Sequence, residues 1–121
     1  MYEVITGLVY KVDEIQTKKQ KAIVKTYFDQ EFHIKLTTDK ETINSDGQDV
    51  IIITANVYNY LDEQQTVDIV DIVFELDGEK QIVPSTNGQA EITFSTNVAG
   101  EYIIKTNIPN FRNDEIKAVA E

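Results

Sequence analysis

The twelve residues from Asp49 to Tyr60, DVIIITANVYNY, leave this chain little choice of fold. They contain neither Gly nor Pro, five successive residues from Val50 to Thr54 are β-branched, and two Tyr close the run. Ile51, Ile53, Ala55 and Val57 are all apolar, while Thr54, Asn56, Tyr58 and Tyr60 are polar or amphipathic. Side chains alternate faces along a strand, so the pattern predicts a central strand with its odd face buried.

The same two-residue period recurs from residue 32 onward. Ile34 and Leu36 alternate with His33, Lys35 and Thr37. Ile72, Phe74 and Leu76 share one face, as do Ala90, Ile92 and Phe94, then Tyr102 and Ile104. Glu41–Asn44 reads as a short continuation of the first strand, and Ile116, Ala118 and Ala120 supply a last one. Val67–Val70 reads as a short edge segment.

Turn chemistry punctuates these runs. Ser45-Asp46-Gly47 precedes the central strand, and Asp77-Gly78 predicts a two-residue hairpin, because such turns need positive φ at both central positions. Asn87-Gly88 predicts a second turn of this kind. Pro84 ends a return strand over 80–83, since proline cannot donate to a ladder. About seven short strands at near-regular spacing predict an all-β antiparallel sandwich over residues 32–121, with a core of Ile34, Leu36, Ile51, Ile53, Ala55, Val57, Ile72, Phe74, Leu76, Ile92, Phe94, Tyr102 and Ile104.

Residues 1–31 differ. The first twelve alternate weakly, with Gly7 as a bulge or bend. Asp13 and Glu14 suit a helix N-terminus, and Ile15, Ala22, Ile23 and Tyr27 fall roughly on one helical face, which predicts a helix over about 14–28. The competing reading makes Ala22–Phe28 a strand, because Ile, Val, Thr, Tyr and Phe favour one. Either way, residues 1–31 form a short N-terminal adaptor to the sandwich.

With 121 residues, 41% of them hydrophobic and 26% charged, the chain suits one globular domain. Its net charge is −10. Residues 1–35 carry six Lys against five acids, or +1; residues 36–121 carry five Lys or Arg against sixteen acids, or −11. Such an acidic domain repels phosphate backbones, so no nucleic-acid partner is expected. The longest apolar run is Val50 to Ile53, far short of a membrane span. MYEVITGLVY lacks the pattern of a secretory signal. There is no cysteine, and hence neither disulfide nor thiolate chemistry.

In sequence, SDGQDVIIITANVYNYLDEQ, DIVFELDG, TNGQAEITFST and AGEYIIKTN resemble bacterial Ig-like domains of the invasin and intimin group. There a turn with Asp-Gly precedes strand B, "NGQA" precedes strand E, and "AG-x-Y" opens strand F. The matching positions are Asp46-Gly47, Asn87–Ala90 and Ala99–Tyr102, so the resemblance covers about residues 34–121. It departs after strand B, where a Gly- or Pro-rich linkage is replaced by Asn59–Gln64. A single such domain behind a short Lys-bearing adaptor is similar to small Ig-like structural proteins of tailed bacteriophages. That resemblance implies a non-enzymatic structural or accessory module of a phage or prophage particle, tail-associated. It would be made in the host cytoplasm and located in the virion, with a cytoplasmic protein as the alternative.

Site chemistry is sparse. His33, the only imidazole, lies on the polar parity of its strand and reads as an exposed histidine rather than a metal ligand. Asp68, Asp71, Glu75 and Asp77 are acidic, but no calcium-loop motif orders them, and they fit a polar strand edge. No nucleophile turn or glycine-rich phosphate loop occurs, so no catalytic residue, cofactor or metal is expected. Tyr58, Asn59 and Tyr60, at the end of the central strand, are the candidate partner-binding residues, because tyrosine combines rigid contact area with a hydroxyl. Their partners would be other virion or cell-surface proteins, or a surface glycan if the domain is instead a carbohydrate-binding adhesion module. Tyr102 is expected in the core as a tyrosine-corner residue. Lys18, Lys19, Lys21 and Lys25 form a basic stripe suited to an acidic partner surface.

Overall fold

Burying the odd face of the central strand requires a second layer, and the structure supplies one. The computed structural model describes residues 2–16, 21–66 and 71–121, and all regular structure among them is β. One sheet holds β4 (Phe32–Thr38), β6 (Ile51–Asn59) and β9 (Gln89–Phe94), with the two-residue β11 (Phe111–Arg112) at its margin, in the order β11-β4-β6-β9. The facing sheet runs β5-β12-β10-β7-β8, with β5 at Thr42–Ile43, β7 at Asp71–Leu76, β8 at Glu79–Pro84, β10 at Gly100–Thr106 and β12 at Glu115–Ala120. Seven strands of six or more residues thus form the sandwich, and with the two-residue β5 as A′ the Ig lettering reads A-B-E against A′-G-F-C-C′.

The odd face of β6 is fully buried: Ile51, Ile53, Ala55 and Val57 are each 0% exposed. Antiparallel register aligns Ile53 with Ile92, Ala55 with Leu36 and Ala90, and Val57 with Ile34. Ile72, Phe74, Ile104, Ala118 and Ala120 complete the core from the facing sheet. The expected core residues all face this interior, with Leu76, Phe94 and Tyr102 at its partly buried margin. Tyr102 forms a tyrosine corner: its ring packs 4.9 Å from Phe94, and its hydroxyl donates to the Val98 carbonyl at 2.7 Å.

The turns follow their sequences. Asp77 and Gly78 have φ of 50° and 82° and join β7 to β8. Asn87 and Gly88 have φ of 53° and 73°, closed by reciprocal Thr86 and Gln89 backbone bonds. Ile43, however, does not prolong β4. The chain changes sheets there, and β5 pairs in parallel with β12.

The helix expected over about 14–28 is corrected. β2 (Leu8–Gln16) and β3 (Lys21–Gln30) form an antiparallel pair, with a register shift between Val9 and Tyr10. Helix-favouring Glu, Gln and Lys in this stretch are outweighed by nine cross-strand pairings, a tertiary override of weak local propensity. β1 (Tyr2–Ile5) extends the pair to a three-stranded sheet, and of the bulge or bend expected at Gly7 the structure has the bend, as the β1–β2 hairpin turn with Thr6. Lys18, Lys19, Asp68 and the Val67–Val70 edge segment lie outside the described residues.

The turn before β6 is held by carboxylates. Asp46 Oδ1 accepts the Asp49 and Gln48 amides at 2.8 and 2.9 Å. Asp49 takes Lys40 Nζ at 2.7 Å and the Asn44 amide at 2.9 Å. The Asp49 and Gln48 amides hold Asp46 below its ordinary carboxyl value, while Lys40, then the Asn44 amide, do the same for Asp49. The bond to Asp49 raises Lys40 in turn. Carboxylates lowered on folding contribute stability above their unfolded value and lose it as pH falls through the folded one. The Lys40 contribution is complete below its unfolded value and is lost only as pH rises through its raised one.

Two outcomes follow. Ile53→Ala should cost roughly 2–5 kcal/mol, with the smaller loss falling to Phe94→Ala at the core margin; equal urea midpoints for the two variants contradict this burial order. The chemical-denaturation midpoint should stay level near neutrality and fall below about pH 4, with a shallower fall in Asp49→Asn.

Candidate functional site

At the end of β6 the chain turns through residues 59–66, and Asn59 builds that turn. Its Oδ1 accepts the amides of Leu61 and Glu63 at 2.9 and 3.0 Å, and its Nδ2 donates to Glu63 Oε1 at 3.1 Å. Its amide donates to the Glu63 carbonyl, and its own carbonyl accepts the Asp62 amide, both at 3.0 Å. Asn59 is therefore the frame of the loop, leaving Tyr58 and Tyr60 on either side as half-buried aromatic surface. Tyr58 points to the outer face of its sheet, opposite His33, with Lys35 Nζ 4.3 Å from its ring centroid.

The loop rests on the Asn87-Gly88 turn. Gly88 accepts the Val57 amide at 2.9 Å, and Gln65 donates to the Val57 carbonyl at 2.8 Å. Gly88 is buried, and a Cβ there would collide with the Gln65 carbonyl. Its counterpart Gly78 has open space around it.

His33 corrects the expectation of an exposed histidine: it is 7% exposed. The polar parity of β4 faces outward, but at this end the N-terminal sheet and the 59–66 loop cover it. His33 Nε2 lies 3.3 Å from Asp29 Oδ2 without hydrogen-bond alignment, and Nδ1 lies 3.8 Å from Asp62. Asp29, at the end of β3, also meets Arg112 at 3.3 Å, and Asp62 meets Lys35 at 3.6 Å. Around this charge cluster Phe32 stacks on Phe111, and the Glu31 amide donates to the Gly7 carbonyl at 2.6 Å. The candidate tyrosines thus lie beside the joint between the N-terminal sheet and the sandwich. Sequence spacing held no sign of this joint, because Asp29, His33, Asp62 and Arg112 come from four segments spread from residue 29 to residue 112.

The acidic positions near β7 are spread along the facing sheet. Glu75 accepts the Asn107 side-chain amide at 3.0 Å, which lowers its carboxyl below the ordinary value, and Lys80 and Lys105 each lie 3.7 Å away. Among the described residues no group of three His, Cys, Asp or Glu is placed to hold a metal ion. No helix among them is long and apolar enough to cross a membrane.

No family model matches this sequence, and no curated protein does. Solved structures share its fold. A glycosyl hydrolase family 2 member from Bacteroides cellulosilyticus matches 95% of this chain and 17% of its own, at a TM-score of 0.63 and 14% identity. A second such structure, from Bacteroides cellulosilyticus DSM 14838, matches 93% of this chain and 18% of its own, at 0.61 and 15%. The C-terminal 282-residue fragment of intimin, solved with the intimin-binding domain of the translocated intimin receptor, matches 71% of this chain and 32% of its own, at 0.53 and 19%. The chain therefore spans a third or less of the proteins it matches. At these identities the likeness is one of fold: the chain is an Ig-like β-sandwich module, similar to the Ig-like part of intimin.

Three substitutions test the site's construction. Gly88→Ala should cost clearly more than Gly78→Ala, which carries only the positive-φ penalty of roughly 1–2 kcal/mol; similar melting temperatures for both would show that loop 59–66 does not rest on Gly88. Asp29→Ala leaves His33 and Arg112 facing each other and should cost roughly 1–3 kcal/mol, with amide exchange quickening in β1–β3 before β6. Unchanged exchange in β1–β3 would remove Asp29 from the joint.

Proposed function

We propose that the chain is a non-enzymatic interaction module of a bacteriophage or prophage particle, associated with the tail. It meets neighbouring proteins or the host surface through the Tyr58–Tyr60 end of the sandwich. The observation that carries this reading is the Asn59 frame, which holds two tyrosines at a fixed loop before any partner arrives. Preorganised aromatic surface lowers the ordering cost of association and is typical of interface anchors. The likeness of an Ig-like domain behind a short Lys-bearing adaptor to small structural proteins of tailed bacteriophages supports the particle setting, and the fold likeness to intimin, solved with its receptor's binding domain, supports a protein partner. The place of action is then the virion.

A carbohydrate-binding adhesion module is the second reading. In its favour are the exposed Tyr27, edge-on to Tyr10 at 5.9 Å, and the near-complete fold match to parts of glycosyl hydrolase family 2 members. Against it, Lys35 already lies over the Tyr58 ring.

Mass spectrometry of purified particles should detect the chain at stoichiometric levels, and its absence would sink the particle reading. Tyr60→Ala should weaken attachment to particles or host cells by about tenfold, corresponding to roughly 1.4 kcal/mol, with an unaltered fold. Saturable binding to cell-wall polysaccharide that Tyr60→Ala removes would favour the second reading instead.

A further inference from the structure

The sandwich has one closed side and one open side. On the closed side, β11 bridges β4 at Phe32 and His33, and Asp114 Oδ2 accepts the Leu36 amide at 2.9 Å. Asn113 braces the covering loop through Ile108 and Phe111, and β5 lies along β12. On the opposite side β9 ends one sheet and β8 ends the other, and among the described residues no strand lies on the outer edge of either. Only Ser85–Gly88 connects them, so the sheet that begins A-B-E stops at E.

A groove runs between these two free edges. Phe74, Leu76, Ile92 and Phe94, which are core residues, are reached from it, and its volume is about 430 Å³. Farther along the same two strands, Gln89 and Glu91 on β9 and Val83 on β8 line a separate hollow of about 350 Å³. Apolar core side chains along a groove that follows the length of an unpaired strand define what fits there: another strand. Its backbone would satisfy the outer N–H and C=O groups of β9 beyond Gln89, which is already bonded to Thr86, and every second side chain would lie over the apolar floor.

We infer that this groove takes an extended segment of a partner protein, added antiparallel or parallel beside β9, apolar at alternate positions and basic between them. The choice of charge follows from the rim. Glu79 and Glu91 flank the groove, its one lysine, Lys80, is engaged by Glu75 at 3.7 Å, and residues 36–121 carry −11 in all. A second copy of the chain is the poorer occupant, because two copies at −10 each repel. The five residues of β9 after Gln89, at about 3.3 Å each, give a seat of roughly 17 Å, enough for a five- or six-residue segment. The inference rests on the reading of the chain as a protein-binding module and adds to it a second contact surface, away from the Tyr58–Tyr60 loop.

The test titrates the isotopically labelled full chain with the blocked octapeptide KVKVTVKV and its charge-reversed counterpart EVEVTVEV, followed by amide shifts and hydrogen exchange. The basic peptide should perturb and protect amides in Ala90–Ser95 and Glu79–Val83 only, and the acidic one should not bind. Glu91→Lys, at an exposed position, should weaken the basic peptide about threefold or more without changing the melting temperature. Shifts absent or scattered over the surface, equal binding of both peptides, or β9 protection that appears with rising concentration of the chain alone would each overturn the inference; the last would assign the groove to a second copy. Loss of peptide binding in the native chain while Tyr60→Ala still weakens attachment removes the groove alone, and peptide binding with no effect of Tyr60→Ala removes the loop alone.

Discussion

Everything in this structure depends on the burial of one strand face. β6 presents four side chains of zero exposure to an interior that no single sheet could close. Burying a Val or Ile contributes roughly 1.5–3 kcal/mol, and the small Ala55 sits in register with Leu36 on one side and Ala90 on the other. The pairings of β4 and β9 with β6 are consequences of this row. A one-residue slip would turn every inner side chain outward, which is why the register is so strongly specified.

Edge control is the second organising feature. Loop 107–114 exists to finish the sandwich on one side: Asp114 takes an amide of β4, and Asn113 ties Ile108 to Phe111. Ile108, four residues before Arg112, is drawn into the core by that closure. The other side has no such cover among the described residues, and its β8 strand is exposed nearly throughout. An unpaired edge is ordinarily a liability, blunted by charge and proline, and β8 carries Glu79, Lys80 and Pro84. The N-terminal sheet is joined to the closed side through Asp29, His33 and Arg112, so it extends from the finished end of the molecule.

Much of the sandwich was legible because its signals are local. Alternation in Ile34-Leu36, Ile51–Val57, Ile72–Leu76 and Ile92-Phe94 identified the inner faces, and Asp77-Gly78 and Asn87-Gly88 identified turns whose φ values only small or amide-bearing residues accept readily. The hairpin of β2 and β3 was obscured because its residues carry mixed propensity, and only a partner strand decides between the two. His33 illustrates the same limit at the site. Its parity was read correctly as outward, yet what lies outward is Asp29 from one segment and Asp62 from another. Asn59 was singled out beside two tyrosines, but its role as the frame of the loop depends on Glu63 returning to it.

The amino-acid sequence by itself determined which side chains face inward, where the chain reverses and that two apolar layers must meet. Those properties are set by periods of two residues and by the backbone preferences of single turn residues. The tertiary structure alone decided that β5 crosses to the far sheet, that the N-terminal residues pair as strands, and that one flank is sealed while the other, among the described residues, is not. Each of these turns on contacts between segments far apart in the chain, whose strength exists only once the chain has brought them together.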